Sequence, residues 1–216
     1  AQLMVPSPQR GGMGRPPRTV LALIIGLFGL SLAVALVWAA GVQLNTRQAA
    51  PAPSTTASVA QAIQVASATD FDPSADGGSN AENPRLTGRA IDDDPETFWL
   101  PERYRGAPRL GRMKPGVGLV IDLGGVRAVG QVRVGLLGQS TAVELRSPRD
   151  PDATAAPMRS QTEWTVVAGI PKATGTAVLK LDKPIKTRYL LVYLTSLPPE
   201  SGSYYQGGIG NIDVRG

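Results

Sequence analysis

The sequence predicts an all-β fold, a jelly-roll β-sandwich over residues 62–216, carried behind one transmembrane helix and a flexible linker. Three observations predict it. Short runs rich in β-branched and aromatic residues alternate with Gly, Pro, Asp and Ser turns from Ala62 onward. No amphipathic helix of ordinary length interrupts them. A single uncharged apolar stretch, 19–42, is long enough to cross a hydrocarbon core of about 30 Å as a helix.

Segment 1–18 carries Arg10, Arg15 and Arg18, and no acidic residue precedes Asp70. The net charge of +5 is therefore a basic flank on a nearly neutral domain, which is no argument for nucleic-acid binding. In the span "TVLALIIGLFGLSLAVALVWAAGV", apolar residues surround every face and Trp38 stands near one end, where interfacial aromatics are favoured. A signal peptide is the rival reading. The run is long for an h-region of about 7–15 residues, and the A-x-A pattern around Trp38 is poor. The chain begins at Ala1, and the expectation is the C-terminal part of a longer protein. Three arginines close before the span against Arg47 after it put the N-terminus in the cytoplasm and the C-terminal domain outside the plasma membrane. Ala22/Gly26 and Gly29/Ala33 are small-xxx-small pairs suited to packing against other membrane helices. Residues 43–61, "QLNTRQAAPAPSTTASVAQ", read as a tether, since Pro51 and Pro53 oppose a helical stalk.

The chain has no Cys and no His. That excludes disulfides, thiol nucleophiles, a Ser-His-Asp triad and His- or Cys-ligated zinc. No nucleophile–base pair is arguable elsewhere, so the expectation is a protein that is not an enzyme.

The predicted strands are "AIQVASA", "GVGLVIDLG", "AVGQVRVGLL", "TAVELRS", "EWTVVAGI", "TAVLKLD" and "RYLLVYLTSL". Trp99, Ile121, Val132, Val134, Trp164, Leu191 and Ile212 are the expected core. "DFDPSADGGSNAEN" misses the EF-hand spacing, so Asp70, Asp72 and Asp76 are read as serving a loop of Asx turns. "GVGLVIDLGG" lacks G-x-G-x-x-G before a helix and is no dinucleotide site.

"RAIDDDPETFW", Arg89 to Trp99, is the most chemically loaded stretch. Asp92, Asp94 and Thr97 offer three side-chain oxygens within six residues, and Pro95 stiffens the turn. A hard cation such as Ca²⁺ takes six to eight oxygens from such a loop. The other reading is a solvated turn capping the segment that follows. Glycosidase chemistry is disfavoured, because adjacent aspartates in an exposed turn have neither the separation nor the apolar pocket it needs.

In order along the chain, "AIDDDPETFW", "GVGLVIDLGGVRAVGQVRV", "EWTVV", "TRYLLVYLTS" and "GNIDVRG" resemble the landmarks of discoidin-like domains, the coagulation-factor type C, galactose-binding-like jelly rolls. The resemblance covers nearly all of 62–216. It implies a structural calcium held by the Arg89 carbonyl, Asp92, Asp94, Thr97 and Asn211. Two departures stand out: Asp93 takes the place of a glycine, and Asn211 that of a glutamate. It also implies ligand-binding loops at one end of the sandwich, with Tyr104, Arg105, Tyr204 and Tyr205 as candidates for a cell-wall glycan or a lipid-linked glycan. Ordinary loop residues are the bland alternative for each. The basic run from Arg103 to Lys114 suggests instead a face for anionic lipid or wall polymer. The layout of basic flank, span, tether and discoidin-like domain is similar to the C-terminal end of actinobacterial MviN/MurJ-type proteins, which are implicated in peptidoglycan biosynthesis. A ligand-free interaction or sensor domain of a membrane receptor kinase is the other reading.

Overall fold

Two long strands decide the architecture. The computed structural model describes residues 61–216, so the basic flank, the expected span and nearly all of the expected tether lie outside the described residues. The strands are β1 (Ala62–Ile63), β2 (Ser67–Phe71), β3 (Tyr104–Arg105), β4 (Val117–Leu137), β5 (Thr141–Pro148), β6 (Trp164–Ala173), β7 (Thr176–Ser196), β8 (Pro199–Ser201), β9 (Tyr204–Tyr205) and β10 (Gly208–Arg215). Helical structure among the described residues is confined to short 3-10 turns, none long and apolar enough to cross a membrane.

The sequence suggests separate strands on either side of Gly124 and of Asp182. The structure instead runs β4 and β7 straight through these points as 21-residue strands that bend from one layer into the other. The first part of β4 pairs with β2 through Gly118–Asp122, and its last part pairs with β10 through Gln131–Leu137. Likewise β7 pairs with β5 through Leu191–Ser196, while its first part pairs with the far end of β4. One layer is thus β2–β4–β7–β5–β6 and the other β1–β10–β4–β7, antiparallel throughout. At the corner Gly124 takes φ +69°, a left-handed angle that glycine adopts without steric cost. Its N–H donates to Asp122 Oδ1, and Arg188 of β7 grips both oxygens of that carboxylate at 2.9 Å. The guanidinium holds Asp122 below the usual carboxylate range.

Alternation along the strands fills the space between the layers. Leu119, Ile121, Leu190, Val192 and Leu194 point inward against Val132, Val134, Leu179, Ile212 and Val214. All seven expected core residues are buried. The outward set of the larger layer is apolar too. Phe71, Val120, Trp164, Tyr189, Leu191 and Tyr193 form a second cluster, in which Phe71 meets Trp164 and Tyr193 edge-on at 6.1 Å. Tyr189 donates to the Thr154 carbonyl and Trp164 to that of Pro157, so the excursion between β5 and β6 covers this cluster. Burial on both faces explains why "YLLVYL", residues 189–194, is a continuous apolar run and not an alternating one.

Candidate functional site

The Arg89–Trp99 loop is built on one hydroxyl. Thr97 Oγ1 lies 2.9 and 2.8 Å from the two oxygens of Asp92, 3.2 Å from the Arg89 carbonyl and 3.3 Å from the Asp94 carbonyl. A hydroxyl carries one proton, so four acceptors around it leave a converging, electron-rich set of oxygens. The Thr97 hydroxyl and then the Asp94 N–H hold Asp92 below its ordinary carboxyl range. Asp94 Oδ1 accepts from Glu96 N at 3.0 Å. Asp93 adopts φ +62°, as its place in a glycine position requires. Beneath the loop Trp99 is fully buried, bonded through its backbone to Ile209 and through Nε1 to the Glu82 carbonyl.

The last strand meets this loop at a bulge. A Cβ on Gly210 would stand 2.7 Å from the Thr97 carbonyl, so only glycine lets β10 approach so closely. The next residue, Asn211, has φ +33° and a buried Oδ1 with no hydrogen-bond partner. It lines a groove together with Pro95 and Phe98. The oxygens brought together here are those of Asp92, the Thr97 hydroxyl and the Arg89 and Asp94 carbonyls, while the Asp94 carboxylate turns to Glu96 N. Among the described residues no group of three or more Asp, Glu, His or Cys side chains is gathered to hold a metal ion.

The second expected site lies at the end of the sandwich where β4 leaves at Leu137 and β10 enters at Gly208. Here β3, β9 and β8 form a three-stranded sheet, with Tyr104 opposite Tyr205 and Arg105 opposite Tyr204. The fold thus joins the two predicted segments. Backbone bonds from Gly106 to Ser203 and from Leu197 to Pro108 tie it down, and Gln206 Nε2 donates to the Pro101 carbonyl. Tyr204 is 37% exposed and Arg105 is exposed, while Tyr205 packs partly against the core. Arg103, which the sequence placed only at the start of the basic run, stacks 4.7 Å over the Tyr204 ring and pairs with Glu200 at 2.6 Å.

Tyr104 is a correction. It is only 4% exposed, and its hydroxyl donates to Glu82 Oε1 at 2.6 Å, so it points into the protein and not toward a ligand. Burial and the Glu82 carboxylate push its phenol far above the ordinary range. Lys114 is a second correction to the basic-run reading: its ammonium is buried between Asp72 and Glu82, at 2.5 and 2.9 Å, and faces neither lipid nor polymer. Desolvation raises Glu82, opposed by the Tyr104 and Lys114 hydrogen bonds. Asp72 also accepts from Ser79 N, and Asp70 from Glu82 N, so these aspartates serve the loop as the sequence suggests. Nothing in the local sequence marks Lys114 as the buried member of a basic run.

No family model matches the chain. Solved structures with a similar outline include chitosan-binding module 1 of a chitosanase/glucanase from Paenibacillus sp. IK-5, with 16% identity over 72% of this chain and 99% of that one, at a TM-score of 0.46. The family 32 carbohydrate-binding module of C. perfringens NanJ, solved with galactose, has 15% identity over 73% and 100% at 0.45. The family 32 module of AlyQ, solved with 4,5-unsaturated mannuronic acid, has 15% identity over 71% and 97% at 0.46. The all-β sandwich itself rests on the strand order and register given above.

Proposed function

We propose that the described domain is a carbohydrate-binding module without catalytic activity, whose ligand surface is the β3–β9–β8 sheet. The observation that supports this is the exposed Tyr204 ring set beside Arg103, Arg105 and Glu200, side chains brought together across 97 positions of sequence. A tyrosine face stacks on the C–H face of a sugar, and flanking charged groups bond its hydroxyls. The resemblance of the chain's layout to MviN/MurJ-type proteins extends the proposal to a cell-wall glycan or lipid-linked precursor on the outer face of the plasma membrane. Calcium belongs to the same reading: the Arg89 carbonyl, Asp92, Asp94, Thr97 and Asn211 would hold it, and bound there it braces the loop above Trp99.

Calorimetric titration of the full chain with galactose, chito-oligosaccharides and muropeptides tests the module. At least one glycan binds, and Tyr204→Ala or Arg105→Ala weakens it about tenfold, or roughly 1.4 kcal/mol. If no glycan binds at millimolar concentration, or neither substitution matters, the reading is wrong. Genomic sequence upstream of Ala1 that encodes many further spans supports the MviN/MurJ-type context, whereas a kinase domain there favours a receptor.

A further inference from the structure

We propose that the groove between the loop from Arg109 to Pro115 and strand β6 is a second binding site, one that takes an anionic polysaccharide through Arg109 and Arg112. It lies on the outer face of the larger layer, beyond the part that the β5–β6 excursion covers. Its volume of about 1010 Å³ exceeds what a single sugar fills and suits several linked residues.

The charges that line this groove are not equivalent. Asp76 is satisfied from within, accepting from Ser160 Oγ at 2.8 Å and Gln161 N at 2.5 Å. Glu144 is paired with Arg146 at 2.6 Å, and Lys114 is held by Asp72 and Glu82. Arg109 and Arg112 are exposed and join no ion pair among the described residues. Each guanidinium offers five N–H donors in a planar fork that matches a carboxylate or a phosphate.

The loop that carries them is held in an uncommon backbone conformation. Leu110, Gly111 and Arg112 have φ of +45°, +65° and +67°, three left-handed residues in succession. The turn is pinned by the fully buried Leu110 and by backbone bonds from Arg112 to Arg109 and from Met113 to Leu110. Left-handed non-glycine residues persist where their surroundings over-determine them, and they concentrate at ligand clamps. This conformation keeps Met113 71% exposed at the rim, opposite Val166 and Pro171 of β6. Apolar side chains on both walls suit the C–H faces of pyranose rings, and Thr195 and Ser196 supply hydroxyls. Cations beside apolar walls and hydroxyls favour a sugar acid or a sugar phosphate over a neutral glycan.

The test is binding of the full chain to oligogalacturonate, which carries carboxylates, and to poly(glycerol phosphate), which carries phosphodiesters. Neutral dextran and poly-glutamate are the controls. The expected result is binding to at least one of the two anionic probes, weakened by added salt. The double variant Arg109→Gln/Arg112→Gln reduces it at least about tenfold, while Arg133→Gln, at another exposed arginine, leaves it unchanged. Whichever anionic probe binds more tightly identifies the source of the charge. The proposal is overturned if neither probe binds, if the double variant binds like the parent, or if poly-glutamate binds equally well. Tyr204→Ala leaves this binding intact, and the double variant leaves neutral-sugar binding intact, so failure here is distinct from failure of the module reading.

Discussion

Lys114→Met deletes the cation that two buried carboxylates share. The side chains of Asp72 and Glu82 are each 1% exposed and that of Lys114 is 7%, so water cannot replace the ammonium. Asp72 keeps its bonds from Ser79, and Glu82 keeps those from Tyr104 and Glu102, but both charges are left uncompensated. Removing one partner of a buried pair costs about 3–5 kcal/mol, a large part of a total near 5–15 kcal/mol. At about 2–4 °C per kcal/mol for a domain of this size, the melting temperature falls by roughly 6–20 °C. The pH dependence has a definite sign. Burial already raises Glu82 above its ordinary value, and losing Lys114 removes two influences that lower it. The folded state then binds more protons than the unfolded state between the ordinary and the raised value, and stability drops as pH rises through that window. The deficit is therefore larger near about pH 7 than near about pH 5. Thermal denaturation of parent and variant, followed by near-UV circular dichroism at both pH values, measures this. A loss below about 1 kcal/mol, equal at the two pH values, would refute the account of a strained buried cluster.

Three further outcomes follow from the loop at Arg89–Trp99. Millimolar calcium raises the melting temperature relative to chelator, the stability gain reaching about 2.7 kcal/mol at a hundredfold excess over Kd. Asp92→Ala abolishes the rise and Asn211→Glu strengthens it, whereas no response in either parent or Asn211→Glu leaves the stretch a turn. Thr97→Val removes the hydroxyl that depresses Asp92, so in calcium-free solution the Asp92 carboxyl titrates closer to its ordinary value by NMR. In the parent, the stability linked to this depression is present above the unfolded value and disappears as pH falls through the folded one. Gly210→Ala drives a Cβ into the Thr97 carbonyl, and a urea melt should register a loss of about 1–3 kcal/mol.

Much of the sandwich is readable from its residues because sheets impose a two-residue period. Val132 and Val134 alternate with Arg133, and all three lie as that pattern implies. The special angle at Asp93 is readable too, since an aspartate in a glycine position must adopt it. Continuity of β4 and β7 is not readable, because Gly124 and Pro184 look like turn residues whether the chain reverses there or merely bends. Tyr104 shows the limit at a site. Strand β3 is two residues long, too short for any period to tell which neighbour faces inward. The exposed side chains here are instead Arg103 and Arg105 on either side of it. Lys114 sits among exposed arginines, and only the loop carrying Asp72 and Glu82, more than thirty positions away, gives it a buried partner.

The weak pairing of β1 has a mechanical meaning. It is registered to β10 at two positions only, Ala62 opposite Arg215 and Ile63 opposite Val214. Any load arriving along the chain at Gln61 meets the bond from Gly216 N–H to the Gln61 carbonyl and then these two rungs. The freed stretch from Ala62 to Val65 then spans about 13 Å when drawn straight. Only after that does the pull reach Ala66, bonded to Asp122, and the five registered pairs of β2 on β4. Strand β1 is in effect a few residues of slack, which absorb small displacements while the rest of the sandwich stays folded.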